Sequence, residues 1–148
     1  MSVDPSLILV ASLLRRGSSL NGLSSALTVL ALALGFYGVL MASATLAYSL
    51  SMALLVLLGL LQKFYAMRVA LDADLFEAMA NAGDALPEKT RHLDDALATY
   101  VGVPAELSGR TWIDRSRGAL KLLRRQVMLC AAQWLVALLC LIALTFQS

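Results

Sequence analysis

Two long stretches of the chain carry no ionisable side chain. The first lies between Arg16 and Lys63 and has 46 residues, and the second runs from 126 to 148. As one continuous helix the first stretch would measure about 69 Å, which is two crossings of a hydrocarbon core about 30 Å thick. The second is long enough for one crossing. This pattern predicts an all-α integral membrane protein with three transmembrane helices.

The first stretch divides into two predicted spans, 25–41 and 46–62, which form a transmembrane hairpin over 25–62. The turn between them is predicted near 42–45 from length and hydroxyl side chains, because it contains neither Gly nor Pro. The third span is predicted over 127–145. Composition agrees, since hydrophobic residues make up 59% of the chain and charged residues only 15%, against about 25% in soluble domains.

The positions of Lys and Arg predict the orientation of the spans. Basic residues flank one end of every span: Arg15, Arg16, Lys63, Arg68, Lys121, Arg124 and Arg125. The short turn and the C-terminal tail carry none. By the positive-inside rule the N terminus is cytoplasmic and the C terminus is periplasmic or extracellular. The expected location is the inner (plasma) membrane of a bacterial-type cell, as a multi-pass protein.

A second interpretation takes the first 44 residues as a secretory signal. Ala42, Ser43 and Ala44 have the A-x-A form of a cleavage site, and a basic region and an apolar run precede them. The apolar run is longer than the roughly 7–15 residues of a usual signal core, so we favour a retained span. Cleavage would leave the orientation of the later spans unchanged.

The first 17 residues predict an amphipathic helix of their own. Asp4 and Pro5 have the form of a helix start, and the 11-residue apolar run after them ends in a basic pair before Gly17. Such a run is too short to cross a bilayer. We expect segment 1–17 to lie along the cytoplasmic interface of the membrane. The alternative is a helix packed under the cytoplasmic part of the protein.

Residues 63–125 predict a cytoplasmic helical hairpin with arms of opposite charge. The first arm, 63–95, has four basic and seven acidic residues, and the second, 106–125, has six basic and two acidic residues. Opposite charges should attract the arms to each other. The first arm is expected to continue the second span as one helix, because no helix breaker occurs before Gly83.

The second arm carries basic residues that we predict to contact anionic lipid headgroups. They are Arg110, Arg117, Lys121, Arg124 and Arg125. The first four are spaced 7, 4 and 3 residues apart and therefore share one face of a helix. Each basic residue near a membrane surface contributes about 1 kcal/mol to the attraction of anionic lipid. The simpler interpretation is that these charges only fix the topology.

Small residues in the first span predict a helix-packing interface. Ala31, Gly35, Gly38 and Ala42 are spaced 4, 3 and 4 residues apart and would let another helix approach closely. In the third span, Gln133 is the strongly polar side chain well inside the membrane. A hydrogen bond between helices there contributes about 0.6–2 kcal/mol. Plain packing of the bundle is the simpler explanation of both features.

No motif in the sequence indicates catalysis, so we expect neither an enzyme nor a bound cofactor or metal. A Gly-rich phosphate loop, a nucleophile elbow, a CxxC pair and an HExxH motif are all absent from the sequence. The acidic residues Asp72, Asp74 and Glu77 are candidates for binding a basic partner or a cation. The alternative for them is a solvated helix face. A nucleic-acid partner is not expected.

Together these features predict a small inner-membrane accessory or scaffold subunit. It would assemble with itself or with a larger membrane complex through its spans and cytoplasmic hairpin, in contact with membrane lipid. A coupled transporter is not expected, because the spans contain neither charges nor Pro. The alternative is a pore or channel formed by self-association, with Ser49 and Ser51 lining a narrow path.

Overall fold

The computed structural model describes residues 5–42, 45–96, 99 and 111–147. In these residues the elements are α1 (Pro5–Leu40), α2 (Leu46–Ala80), a 3-10 turn (Gly83–Ala85), α3 (Leu86–Ala96) and α4 (Trp112–Gln147). Helices α1, α2 and α4 are each long and apolar enough to cross a membrane. The all-helical class with three helices of membrane-spanning length and composition is therefore confirmed.

A sharp turn joins α1 to α2. After α1 ends at Leu40, Ala42 takes a left-handed backbone conformation with φ of 51°, which is uncommon for a residue other than glycine. Thr45 then caps α2, since its hydroxyl oxygen accepts a hydrogen bond from the amide of Tyr48 at 3.2 Å. Ala31, Gly35 and Gly38, the other members of the small-residue row, lie within α1. Ala42 lies beyond the end of this helix, and its side chain is exposed.

Helices α1 and α4 run parallel, and α2 is antiparallel to both. Gln126 contacts Gly17, and Gln133 contacts Ser24, so the paired residue numbers of α4 and α1 differ by 109 at both contacts. For contacts between α2 and α4, the two residue numbers have the same sum, 188, at both contacts, as they do in antiparallel helices. Leu55 contacts Gln133, and the Phe76 ring meets the Trp112 ring at 5.6 Å between centroids.

These two registers place Arg16, Lys63 and Arg125 at one level of the bundle. Each is the charged residue nearest the apolar part of its own helix. On the apolar side of this level α1 has 24 residues (17–40), α2 has 17 (46–62) and α4 has 22 (126–147). Lengths of about 17–25 residues are what a bilayer crossing needs. We call this level the boundary plane, and the part of the bundle that carries the charges the charged end.

A packed hydrophobic core fills the charged end. Its buried residues come from all three long helices and are Leu7, Ala11, Leu14, Val69, Ala73, Phe76, Met79, Ala80 and Ala119. Helix α3 covers this core with Leu86 and Leu93. The Trp112 indole donates a hydrogen bond to the Thr90 hydroxyl at 3.2 Å, which ties α4 to α3. The charged end is thus a bundle of three helices with a short fourth one across it.

The described part of segment 1–17 is continuous with the first span. Residues 5–17 form the first part of α1, and the helix continues through Gly17 without a break. Leu7 and Leu14 are 2% and 1% exposed, because the continuation of α2 offers them an apolar surface. These two leucines pack against the rest of the charged end, and the interfacial position of segment 1–17 stays a prediction. The hairpin over 63–125 also stays a prediction, and in the described residues α1 contributes Leu7, Ala11 and Leu14 to the same core as α2 and α4.

The position of Leu14 gives a test of this packing. Replacing Leu14 with Ala should lower the free energy of unfolding by about 2–5 kcal/mol, as removing a buried leucine does in other cores. Leu13→Ala is the matched control, because Leu13 is 39% exposed and its loss leaves no cavity in the core. Unfolding by dodecyl sulfate titration in mixed micelles, followed by tryptophan fluorescence, measures both. Equal effects would mean that segment 5–17 does not pack as described.

Candidate functional site

A polar cluster lies where the three long helices meet on the apolar side of the boundary plane. The Ser24 hydroxyl of α1 donates to Oε1 of Gln133 in α4. Nε2 of Gln133 in turn donates to Thr28 Oγ1 at 3.0 Å and to the carbonyl oxygen of Leu55 in α2 at 3.2 Å. Both Ser24 and Gln133 are fully buried. One amide side chain therefore links all three helices, and its polar atoms are satisfied.

Helix α2 reaches this cluster at Gly59. A Cβ atom built on Gly59 would overlap the Thr28 hydroxyl and would lie 2.9 Å from Gln133 Nε2. Only a residue without a side chain leaves room for the polar groups between the helices. The Thr28 hydroxyl also donates to the carbonyl of Ser24 at 2.7 Å, so it accepts from Gln133 while its own proton is used within α1.

A second contact of this kind lies at the boundary plane. Nε2 of Gln126, two turns of α4 before Gln133, donates to the carbonyl oxygen of Gly17 at 2.7 Å. A Cβ on Gly17 would lie 3.0 Å from Gln126 Oε1 and 3.1 Å from Leu123 Cδ1. Gly17 was expected to end the first helix. In the structure it is instead the point where α4 passes close to α1.

Gln62 of α2 is opposite Gln126 in the register of α2 and α4, and it is fully buried. Within the described part of the chain neither amide atom of Gln62 has a hydrogen-bond partner, and Oε1 of Gln126 has none. A buried polar group without a partner costs about 1–3 kcal/mol. This level of the bundle therefore stabilises the fold less than the level of Gln133.

Three of the residues predicted to contact lipid headgroups line one groove. Lys121, Arg124 and Arg125 of α4 face Tyr65 of α2 across it. Arg117 does not line the groove, and its guanidinium lies 3.8 Å from the carboxylate of Asp114 in its own helix. Arg110 is outside the described residues. Of the predicted set, Lys121, Arg124 and Arg125 therefore share one groove, and Arg117 lies outside it.

The acidic candidates do not form a single site. Glu77 pairs with Arg15 of α1, and Asp74 lines a cleft with the same arginine. Asp72 points about 160° away from Asp74 around the helix. Burial raises the pKa of the half-buried Asp72 carboxyl, and the positive charge of Arg68 acts in the opposite direction. Within the described residues no group of three or more His, Cys, Asp or Glu side chains is placed to hold a metal ion.

The small-residue row of α1 faces α2 of the same chain. Ala31 is buried in one cluster with Met52 and Leu55, and Gly38 is also buried. A Cβ on Gly35 would make an ordinary contact with Met52 Cβ at 3.4 Å. Gly35 therefore tolerates a methyl group, unlike Gly59. Packing of α1 against α2 accounts for the positions of these residues.

Sequence reasoning missed the partners of Gln133 and the whole level of Gln126. Two signals pointed to them. Gln126 and Gln133 are seven residues apart and so share a helix face, and Ser24 and Thr28 do the same at a spacing of four. Tyr65 was missed because nothing in its neighbourhood along the chain links it to the basic residues of α4.

The close approach at Gly59 can be tested with two alanine substitutions. In Gly59→Ala the new methyl group collides with Thr28 and Gln133, and we expect a loss of about 1–3 kcal/mol in the free energy of unfolding, as in overpacked cores. Gly118→Ala is the control, because a Cβ there meets nothing within 4 Å, and it should gain up to about 1 kcal/mol from helix propensity.

Unfolding in mixed micelles measures both variants. Adding Thr28→Ala to Gly59→Ala removes the hydroxyl in conflict and should recover part of the loss. Two alanine variants of equal stability would contradict the described contact.

No protein-family model matches this chain, and no match was found among curated proteins or solved structures. The evidence for the fold class is therefore the length and composition of the helices. Function has to follow from the geometry and charge of the described residues.

Proposed function

We propose that this protein is an accessory or scaffold subunit of an inner-membrane protein complex, with no catalytic activity of its own. Helices α1, α2 and α4 cross the membrane, the N terminus and the charged end lie in the cytoplasm, and the C terminus lies outside. The proposed partners are membrane lipid and either further copies of the chain or other subunits of the complex.

The observation that carries this proposal is the continuity of the three long helices. Each runs without a break from the apolar region through the boundary plane into the charged end. The contacts of Gln133 and Gln126 join the helices on the apolar side, and the core around Phe76 joins them on the other side. A body built in this way holds a membrane part and a cytoplasmic part in fixed relation, which suits a subunit that positions others.

The geometry supports a scaffold better than a pore. Ser49 lines a groove between α1 and α2, whereas Ser51 lines a cleft beside Cys140 and donates to the carbonyl of Ala47. The two hydroxyls lie on opposite sides of α2 and do not face one path. Of the polar side chains that the spans bury, Ser24 and Gln133 bond to each other and Gln126 bonds to the carbonyl of Gly17. Gln62 is buried beside Gln126 at the boundary plane and does not line an open path. A solute path would instead need such groups to face a water-filled space.

The proposed orientation rests on the boundary plane. In each of the three helices, the basic residue nearest the apolar part lies at this level. The residues on the apolar side of it carry no charge; they are 17–40, 46–62 and 126–147. By the positive-inside rule the basic side faces the cytoplasm.

Reporter fusions test the orientation. Alkaline phosphatase fused after Ser148 should be active, because it folds only outside the cytoplasm. A green fluorescent protein inserted between Gly83 and Asp84 should fluoresce, because it matures inside. The exchanged pair of fusions, with each reporter at the other position, should be silent. The reverse pattern would contradict the proposed topology.

Purification in mild detergent tests the scaffold role. The tagged chain should elute as a particle larger than one 15.8 kDa chain in its micelle, with more copies or a stoichiometric partner. Gly59→Ala should weaken this assembly if the intact bundle forms it, and Gly118→Ala should not. Liposomes containing the purified protein should be no more permeable to K⁺ than empty ones. A lone monomer, or liposomes that leak, would contradict the proposal, and leaking liposomes would favour the pore.

A further inference from the structure

We propose that the groove between α2 and α4 at the boundary plane binds one anionic phospholipid. The groove has a volume of about 660 Å³ and is lined by Tyr65 and Leu61 of α2 and by Lys121, Arg124, Arg125, Met128, Leu129 and Ala132 of α4. Its volume is in the range of sites for small ligands. This inference rests on the proposed membrane crossing of the three long helices, but not on whether the chain assembles with partners.

The charges of the groove point to an anionic ligand. Among the described residues, Lys121, Arg124 and Arg125 have no carboxylate within ion-pair distance. Arg15, Arg115 and Arg117 are paired with Glu77, Asp94 and Asp114. Other basic residues without an ion pair among the described residues, such as Arg16 and Arg68, do not line this groove. Three positive charges without a partner side chain thus collect in one groove, and phosphate oxygens are strong acceptors for Arg and Lys.

The other half of the groove points to a ligand with a hydrocarbon chain. Along α4 the lining runs from Lys121 to Ala132, a distance of about 16 Å, and it crosses the boundary plane at Arg125. Beyond this plane the lining side chains are Leu61, Met128, Leu129 and Ala132, all apolar. A free phosphate would use only the charged half. A phospholipid uses both, with its phosphate among the basic side chains and an acyl chain along the apolar wall.

Tyr65 lies at the level where the two halves meet. Its ring is partly exposed and packs edge-on against Phe64 at 5.7 Å between centroids. Tyr is common at the headgroup level of membranes, because its ring is apolar and its hydroxyl forms hydrogen bonds with water or headgroups. This placement marks the groove as open at the depth where lipid headgroups lie.

Native mass spectrometry of the full chain in detergent measures lipid retention directly. With dioleoyl phosphatidylglycerol the protein should retain one lipid per chain, and with dioleoyl phosphatidylcholine it should retain several-fold less. Lys121→Gln should weaken phosphatidylglycerol binding about fivefold, and Arg124→Gln with Arg125→Gln about 25-fold. Arg117→Gln is the matched control, since it removes the same charge one turn away from Lys121 but outside the groove, and it should bind as the wild type does.

Two further arms identify the source of the anion. Ala132→Phe fills the apolar half while keeping every basic side chain, and it should abolish retention of phosphatidylglycerol without lowering the midpoint of thermal unfolding. Millimolar inorganic phosphate should not displace the lipid. Equal losses for Lys121→Gln and Arg117→Gln would overturn the proposal in favour of a diffuse basic surface. Full displacement by phosphate, or unchanged binding in Ala132→Phe, would overturn the lipid as the ligand.

Discussion

A side-chain amide inside a hydrocarbon layer must find its hydrogen-bond partners within the protein, because lipid offers none. Gln133 lies about 12 Å from the boundary plane and meets this requirement with Ser24, Thr28 and the carbonyl of Leu55. Its bonds form only if α2 comes close, and the missing Cβ of Gly59 allows that approach. The register of all three helices follows from this one cluster.

The same register organises the charged end. It aligns the first charged residues of the three helices and brings Phe76 to Trp112 some 20 residues away from Gln133 along α4. Leu14 of α1 then meets the apolar side of α2, so the first turns of α1 are held by protein contacts. The groove of Lys121 and Tyr65 is a further result, because only this alignment places an α2 side chain opposite the basic residues of α4.

The sequence predicts the three apolar helices well, because the length of a charge-free run is a property of the chain alone. It does not predict that residues 5–17 continue directly into the first span. Leu7 and Leu14 form the same amphipathic pattern whether their partner is a membrane surface or another helix. The sequence also does not show which basic residues line the same groove. Arg117 and Lys121 differ only in what α2 places beside them, and that depends on contacts with residues distant in the chain.

The depth of Gln133 has a consequence for how the chain assembles in the bilayer. Helix α4 follows α1 and α2 along the chain, and alone it would carry an unsatisfied amide into hydrocarbon, at a cost of about 2–7 kcal/mol. Gln62 of α2 has no such difficulty, since it lies next to Lys63 at the boundary plane, where water reaches an isolated helix. The hairpin of α1 and α2 can therefore insert by itself and act as a template. It presents Ser24, Thr28 and the carbonyl of Leu55 to the arriving third helix, so insertion and docking of α4 become a single event.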